Sequence, residues 1–148
     1  MIQLNIDGNP IPWKRPGGKR IRYDTQAKEK EQIRWVLRSQ LRSDPLTNPL
    51  LVDIIFFFPI PKHISSVKKK EMLNGMIHHM KKPDVDNCAK FILDCMNDVV
   101  FLDDSQISDL HVRKQYSMKP GTYIRVTPLS LNQEREKEID DEGYPRDC

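Results

Sequence analysis

Residues 81–106 read KKPDVDNCAKFILDCMNDVVFLDDSQ, and the periodicity inside this block sets the expectation for the fold. Ala89, Ile92, Leu93 and Met96 recur at helical spacing, while Asp86, Lys90 and Asp94 repeat every four residues on another face. A helix is predicted from about Asp84 to about Asp98, one side packed and the other free for chemistry. The apolar run Val99 to Leu102 then predicts a short strand, followed by the acidic pair Asp103 and Asp104. Asp84 and Asp86 flank a single Val at the helix start. Oxygen donors gathered this way suit a hard divalent cation such as magnesium.

Working outward, Met1 to Asp7 alternates apolar and polar residues, with Ile2, Leu4 and Ile6 on one side of a predicted strand. Gly8 to Gly18 holds Pro10, Pro12, Pro16, Gly17 and Gly18, too many breakers for a helix or central strand. This loop and its continuation carry Lys14, Arg15, Lys19, Arg20 and Arg22, interleaved with Trp13 and Tyr23. Asp24 or Thr25 is predicted to cap a helix reaching about Arg42, with Ile33, Val36, Leu37 and Leu41 as its apolar stripe. Leu50 to Pro59 (LLVDIIFFFP) is a mostly buried strand by its branched and aromatic content. A short helix is expected over Val67 to Leu73, and strands over Ile107 to Tyr116 and Thr122 to Val126, the last two joined as a hairpin through Lys119, Pro120 and Gly121.

The chain of 148 residues suffices for one domain, residues 1–129, with a charged and flexible tail expected over 130–148. Net charge is +3, but the last 18 residues hold seven acids and three bases, leaving +7 on the rest. A basic body favours a polyanionic partner such as nucleic acid. No stretch of 18 apolar residues exists, and MIQLNIDGNP has no signal-peptide character, so a soluble cytoplasmic protein without membrane association is expected. Cys88 and Cys95 lie seven positions apart on one predicted helix, about 10 Å along its axis and beyond disulfide reach. They read as small apolar fillers, and no paired-cysteine zinc spacing is present.

Each candidate has a structural explanation beside the chemical one. Asp84 and Asp86 suit a helix start on dipole grounds, Lys90 and Asp94 suit spaced ion pairs, and Asp103 with Asp104 suits a turn. Convergence favours chemistry, because several carboxylates in one place repel unless a cation sits among them. Asp84, Asp86 and Asp104 are the candidate metal ligands, and Lys90 the candidate cation for a phosphate in the transition state. Asp103, Asn87 and Asp94 are possible additions. Lys14, Arg15, Lys19, Arg20, Arg22, Lys81 and Lys82 are candidate contacts to a DNA backbone, set against a flexible, solvated basic loop as the plain alternative. Trp13 either stacks on an unpaired base or packs internally. His78 and His79 are candidate phosphate contacts or outer-shell groups. There is no Ser-His-Asp context, no glycine-rich phosphate cradle, and no acidic-x-Lys triplet of the restriction-nuclease type after Pro83 and Asp84.

In their identities and order, Lys82, Pro83, Asp84, Asp86, Asn87, Lys90, Asp94, Asp103, Asp104 and Gln106 resemble the RusA-type Holliday junction resolvases, especially those of phages and prophages. The likeness extends more loosely to the amino-terminal strand, the Pro-rich basic loop, and Lys114 with Tyr116. It implies a small homodimeric α/β (α+β) domain with a mixed sheet of about four to five strands packed by two or three helices. It also implies an endonuclease that uses magnesium, or manganese in its place, to resolve four-way DNA junctions by paired symmetrical nicks in recombination, repair or phage DNA processing. Asp84, Asp86 and Asp104 match the family's metal-binding acids and Lys90 its catalytic lysine; within the pair, Asp103 is the alternative to Asp104. Two rival readings stand beside this one: a nuclease preferring forks or flaps, and a non-catalytic basic DNA-binding module.

Overall fold

Residues 1–129 are described by the structure, a computed structural model; the segment 130–148, expected to be a flexible tail, lies outside the described residues. The elements run β1 (Ile2–Asp7), α1 (Ala27–Gln40), β2 (Leu50–Pro59), α2 (Ser66–Leu73), α3 (Val85–Met96), a 3-10 turn (Asp104–Gln106), β3 (Ile107–Ser117) and β4 (Gly121–Pro128). The four strands form one mixed sheet in the order β1-β4-β2-β3. β4 pairs antiparallel with both β1 and β2, whereas β2 and β3 are parallel. Parallel neighbours need a long crossover, and here the crossover is the segment that carries α2 and α3.

Alternation along the strands decides what faces the helices. Leu4 on β1, Val52, Ile54 and Phe56 on β2, and Ile124 and Val126 on β4 are all buried, and they share one core with Cys88, Phe91, Ile92, Cys95 and Met96 of α3. Leu37 of α1 joins this core with no exposure, and Ile33, Val36 and Leu41 pack at its edge as their spacing predicts. Each fully buried side chain of this size contributes roughly 1.5–3 kcal/mol. The opposite residues of β2, namely Leu51, Asp53, Ile55 and Phe57, stay part-exposed, so this strand is buried on one face. Among the described residues, no helix is long and apolar enough to cross a membrane.

The cysteines of α3 behave as fillers. Burial pushes the Cys88 thiol up to about 11 and the Cys95 thiol up to about 12, so both stay protonated and inert.

The structure departs from the sequence reading in four places. The hairpin expected through Lys119, Pro120 and Gly121 does not form: β4 pairs with β1 and β2, and β2 lies between β3 and β4 as the parallel partner of β3. Val99 to Leu102 forms no strand of the sheet: Phe101 makes isolated bridges to Leu46 and Asn97, and Asp98 takes φ 62°. The turn buries Val99, Val100 and Phe101 without extending them, and an apolar run alone does not distinguish the two outcomes. α1 begins at Ala27, later than predicted, because Asp24 accepts from the Gln26 N–H at 2.9 Å instead of capping the helix. The basic loop is pinned. Gly17 and Tyr23 exchange backbone hydrogen bonds of 2.9 and 3.1 Å, and Gly18 at φ 91° turns so tightly that a Cβ there would lie 1.9 Å from the Ile21 carbonyl oxygen.

The root of this loop is held by a buried glutamine. Gln26, 1 % exposed, accepts from the Lys14 N–H through Oε1 at 2.8 Å and donates through Nε2 to the Pro12 carbonyl at 2.9 Å. Replacing it with an apolar residue strands two backbone groups away from water. Gln26→Leu is therefore expected to lower the unfolding free energy by about 1–3 kcal/mol, read from urea denaturation.

Candidate active site

α3 delivers its candidate residues because its apolar face is fixed to the sheet. With Cys88, Ile92 and Met96 held inward, Asp86 and Lys90 are turned to solvent. Asp84 occupies the N-cap position, yet its side chain makes no capping hydrogen bond. Helix capping therefore does not account for this carboxylate.

The acidic pair before β3 divides sharply. The Asp103 carboxylate accepts from the Ser105 N–H at 3.0 Å, and hydrogen bonding from the Ser105 side chain first and its backbone second holds it below the usual carboxylate range; the Gln106 Oε1 accepts from the Asp103 N–H at 2.9 Å. This is a capping box. Gln106 also donates to the Leu46 and Asn48 carbonyls at 2.9 and 3.0 Å, tying the turn to the chain that enters β2. Asp104, left out of the cap, lines a groove of about 450 Å³ with Asp86, Lys90 and Asp94 over an apolar floor that includes Ala89, Leu93 and Val112. Asp84 is not part of that lining.

Asp94 has a structural partner. Lys30, 8 % exposed, places its Nζ 2.7 Å from Asp24 and 3.5 Å from Asp94, joining α1 to α3. Burial lowers the Lys30 pKa, but the Asp24 hydrogen bond and the charges of Asp24 and Asp94 outweigh it and leave the ammonium above its ordinary value. The same hydrogen bond draws Asp24 down. By contrast, the carboxylates of Asp84, Asp86 and Asp104 have neither hydrogen-bond nor ion-pair partners among the described residues.

Among the described residues, no three His, Cys, Asp or Glu side chains stand close enough together to hold a metal ion. The predicted convergence is thus present as Asp86 and Asp104 on one groove and not as a closed coordination cluster. In donor type the set fits a hard cation: Asp84, Asp86 and Asp104 offer only oxygen, are exposed, and are claimed by no cap or ion pair.

The basic loop reaches this site through Trp13. Its backbone N–H donates to the Asn87 carbonyl at 2.9 Å, and the Lys90 Nζ lies 3.6 Å from its ring centroid. Trp13 is half-buried and packs against the core, so internal packing describes it better than an open platform for a base. The side chains of Lys14, Arg15, Lys19, Arg20, Arg22, Lys81 and Lys82 are all exposed, and none forms an ion pair among the described residues.

One residue that the sequence reading undervalued is Lys114. Its Nζ donates to the Lys81 carbonyl at 2.6 Å and the Pro83 carbonyl at 3.1 Å, gripping the backbone immediately before Asp84; the Lys82–Pro83 peptide between them is cis. Strand alternation carried the signal, since Lys114 falls on the same face of β3 as Val112 and the buried Tyr116. His79 stacks on Phe58 at 4.2 Å and lies 4.9 Å from the Tyr116 ring. Burial first, then the charge of Lys114, depresses its pKa and keeps the ring neutral, which makes it a packing group. A second concavity, about 420 Å³ on the open sheet face, contains Asp53 bound by Arg125 at 2.9 Å and by His111 at 2.9 Å, and none of the candidate acids of α3.

Comparison with known proteins shows the family. Residues 7–127 match the model of the family described as endodeoxyribonuclease RusA. The chain is also similar to the uncharacterized protein YqaN of Bacillus subtilis (strain 168), with 32 % identity over 138 residues, covering 87 % of this chain and 97 % of that protein.

If Asp94 serves mainly to hold α1 against α3, its loss should affect stability and leave any divalent-cation binding as it is. Asp94 is about one-third exposed, so Asp94→Asn is expected to cost no more than about 1 kcal/mol in urea denaturation. Manganese binding followed by calorimetry should be unchanged; a clear loss of affinity would make Asp94 a ligand.

Proposed function

From the premise that this chain belongs to the RusA endodeoxyribonuclease family, we propose that it is a divalent-metal-dependent endonuclease that resolves four-way DNA junctions by paired nicks. The family is one of nucleases acting on Holliday junctions. The finer reading, with magnesium or manganese as cofactor and recombination, repair or phage DNA processing as context, is our proposal. It rests on one observation above the others: Asp86, Lys90 and Asp104 line a single groove whose lysine touches the root of an exposed basic loop that forms no ion pair among the described residues.

Asp84, Asp86 and Asp104 would hold the ion, drawn together against their mutual repulsion by its charge. When bound, a divalent ion polarises a phosphate oxygen, lowers the pKa of a water, and neutralises charge developing during in-line displacement. The chain's own groups do the rest. The Lys90 ammonium answers charge on the phosphate oxygens. Lys14, Arg15 and the cations of the Gly17–Tyr23 hairpin track the phosphate backbone, as do Lys81 and Lys82. Lys114 holds the peptide carbonyls ahead of Asp84 and so fixes where that carboxylate starts.

Two nicks related by a junction's two-fold symmetry require two such sites, which a homodimer supplies. The reading of the chain as a binding module with ornamental acids draws support at Asp103, which is a true cap, and at Asp94, which pairs with Lys30. Forks and flaps remain the rival substrates for the same chemistry.

The deciding experiment incubates the protein with labelled four-way, forked and linear duplex DNA, with magnesium or with chelator. Symmetrical cuts in the four-way junction that vanish with chelator are expected. Binding without cuts would leave only the module, and faster cutting of forks would reassign the substrate. In the same assay Asp86→Asn is expected to abolish cutting and leave junction binding intact, because a ligand is lost while the basic surface is untouched. Changing Lys14 and Arg15 together to Ala should weaken DNA affinity and flatten its dependence on log salt by up to about two units of slope. An unchanged slope would mean that the loop faces away from the DNA.

A further inference from the structure

On its helix, Lys90 has two acids at ion-pairing spacing, Asp86 four residues before it and Asp94 four residues after. It pairs with neither. Asp94 is taken by Lys30 at 3.5 Å, and the Lys90 ammonium lies over the Trp13 ring, 3.6 Å from its centroid. That ring is not loosely placed. The Trp13 backbone N–H donates to the Asn87 carbonyl at 2.9 Å, one turn before Lys90, and Gln26 holds the backbone on both sides of it, at Pro12 and Lys14.

The two possible partners of Lys90 differ in their consequences. A carboxylate would neutralise the ammonium and, in the case of Asp86, engage a proposed metal ligand. An aromatic face attracts a cation through its quadrupole and leaves the formal charge in place. We propose that Trp13 is a positioning residue for the nuclease reaction: its ring holds the Lys90 ammonium away from Asp86, so that lysine and carboxylate are both available when DNA phosphate arrives. The inference rests on the nuclease reading above and extends it to a residue of the amino-terminal loop. Gln26 acts one step further back, as the clamp that fixes the ring.

Trp13→Leu and Trp13→Phe separate this role from simple packing. Leu fills space without a quadrupole, and Phe keeps the aromatic face. With four-way junction DNA and manganese, Trp13→Leu is expected to lose roughly 10- to 100-fold in kcat, the range for a misplaced catalytic group, with little change in KM. Trp13→Phe is expected to recover most of that loss with the urea midpoints of the two variants alike, whereas a purely structural defect would lower kcat and the midpoint together. The contact itself is read without activity by proton NMR of the native protein. The Lys90 side-chain methylene signals next to the ammonium, assigned through Lys90→Ala, should be shifted upfield by the indole ring current and return to ordinary values in Trp13→Leu. Full kcat in Trp13→Leu, equal losses in the Leu and Phe variants, or an absent upfield shift would each overturn the positioning role. A native protein that shows the upfield shift but cuts no branched DNA would instead sink the nuclease reading on which the role depends, so the two failures are distinguishable.

Discussion

The arrangement depends on the packing of α3 against the inner face of the sheet. Cys88, Phe91, Ile92, Cys95 and Met96 lie in the same core as Val52, Ile54, Phe56 and Ile124, and close packing leaves the helix little freedom to rotate. Asp86 and Lys90 are thereby aimed outward. The carboxylate that joins them comes from a different segment, the turn before β3, and this turn is anchored to the chain entering β2 by the Gln106 side chain. The groove exists because two separately anchored pieces of backbone border the same space.

Around this frame, side chains with buried or half-buried polar ends hold backbone near the candidate chemistry. Gln26 grips Pro12 and Lys14, Lys114 grips Lys81 and Pro83, and Gln106 grips Leu46 and Asn48. Such hydrogen bonds contribute little net stability each, but leaving one unmade in a buried place is expensive. That asymmetry favours one loop conformation over its neighbours. It converts a stretch rich in proline and glycine into a pinned loop that presents five cations, three of them in the Gly17–Tyr23 hairpin.

Electrostatics sorts the acids into two groups. Asp24 and Asp94 are held by Lys30, Asp53 by Arg125 and His111, and Asp103 by the turn it caps. Asp84, Asp86 and Asp104 have no such partners among the described residues. Paired acids build the scaffold. The carboxylates of Asp84, Asp86 and Asp104 are left unclaimed by it, and their oxygen chemistry is of the kind that the proposed divalent cation would need.

Much of this was legible in the chain itself, because local periodicity and short-range chemistry determine it. The period of Ala89, Ile92, Leu93 and Met96 specified the α3 helix and its inward face, the alternation around Leu4 specified β1, and the order of acids from Asp84 to Asp104 identified the family. Even the division between Asp103 and Asp104 was written in the D-D-S-Q string, which is a capping-box pattern, although the sequence reading left that pair open. What only the tertiary structure decided depends on contacts between residues far apart in the chain: Trp13 beneath Lys90, Gln26 behind Trp13, Lys30 between α1 and α3, and Lys114 against the Pro83 segment. The Val99–Phe101 turn belongs there too, since strand and buried turn satisfy the same apolar run and the choice rests on what surrounds it. A sequence displays the periods that shape each element, but which long side chain reaches which distant backbone is determined only once the elements are packed.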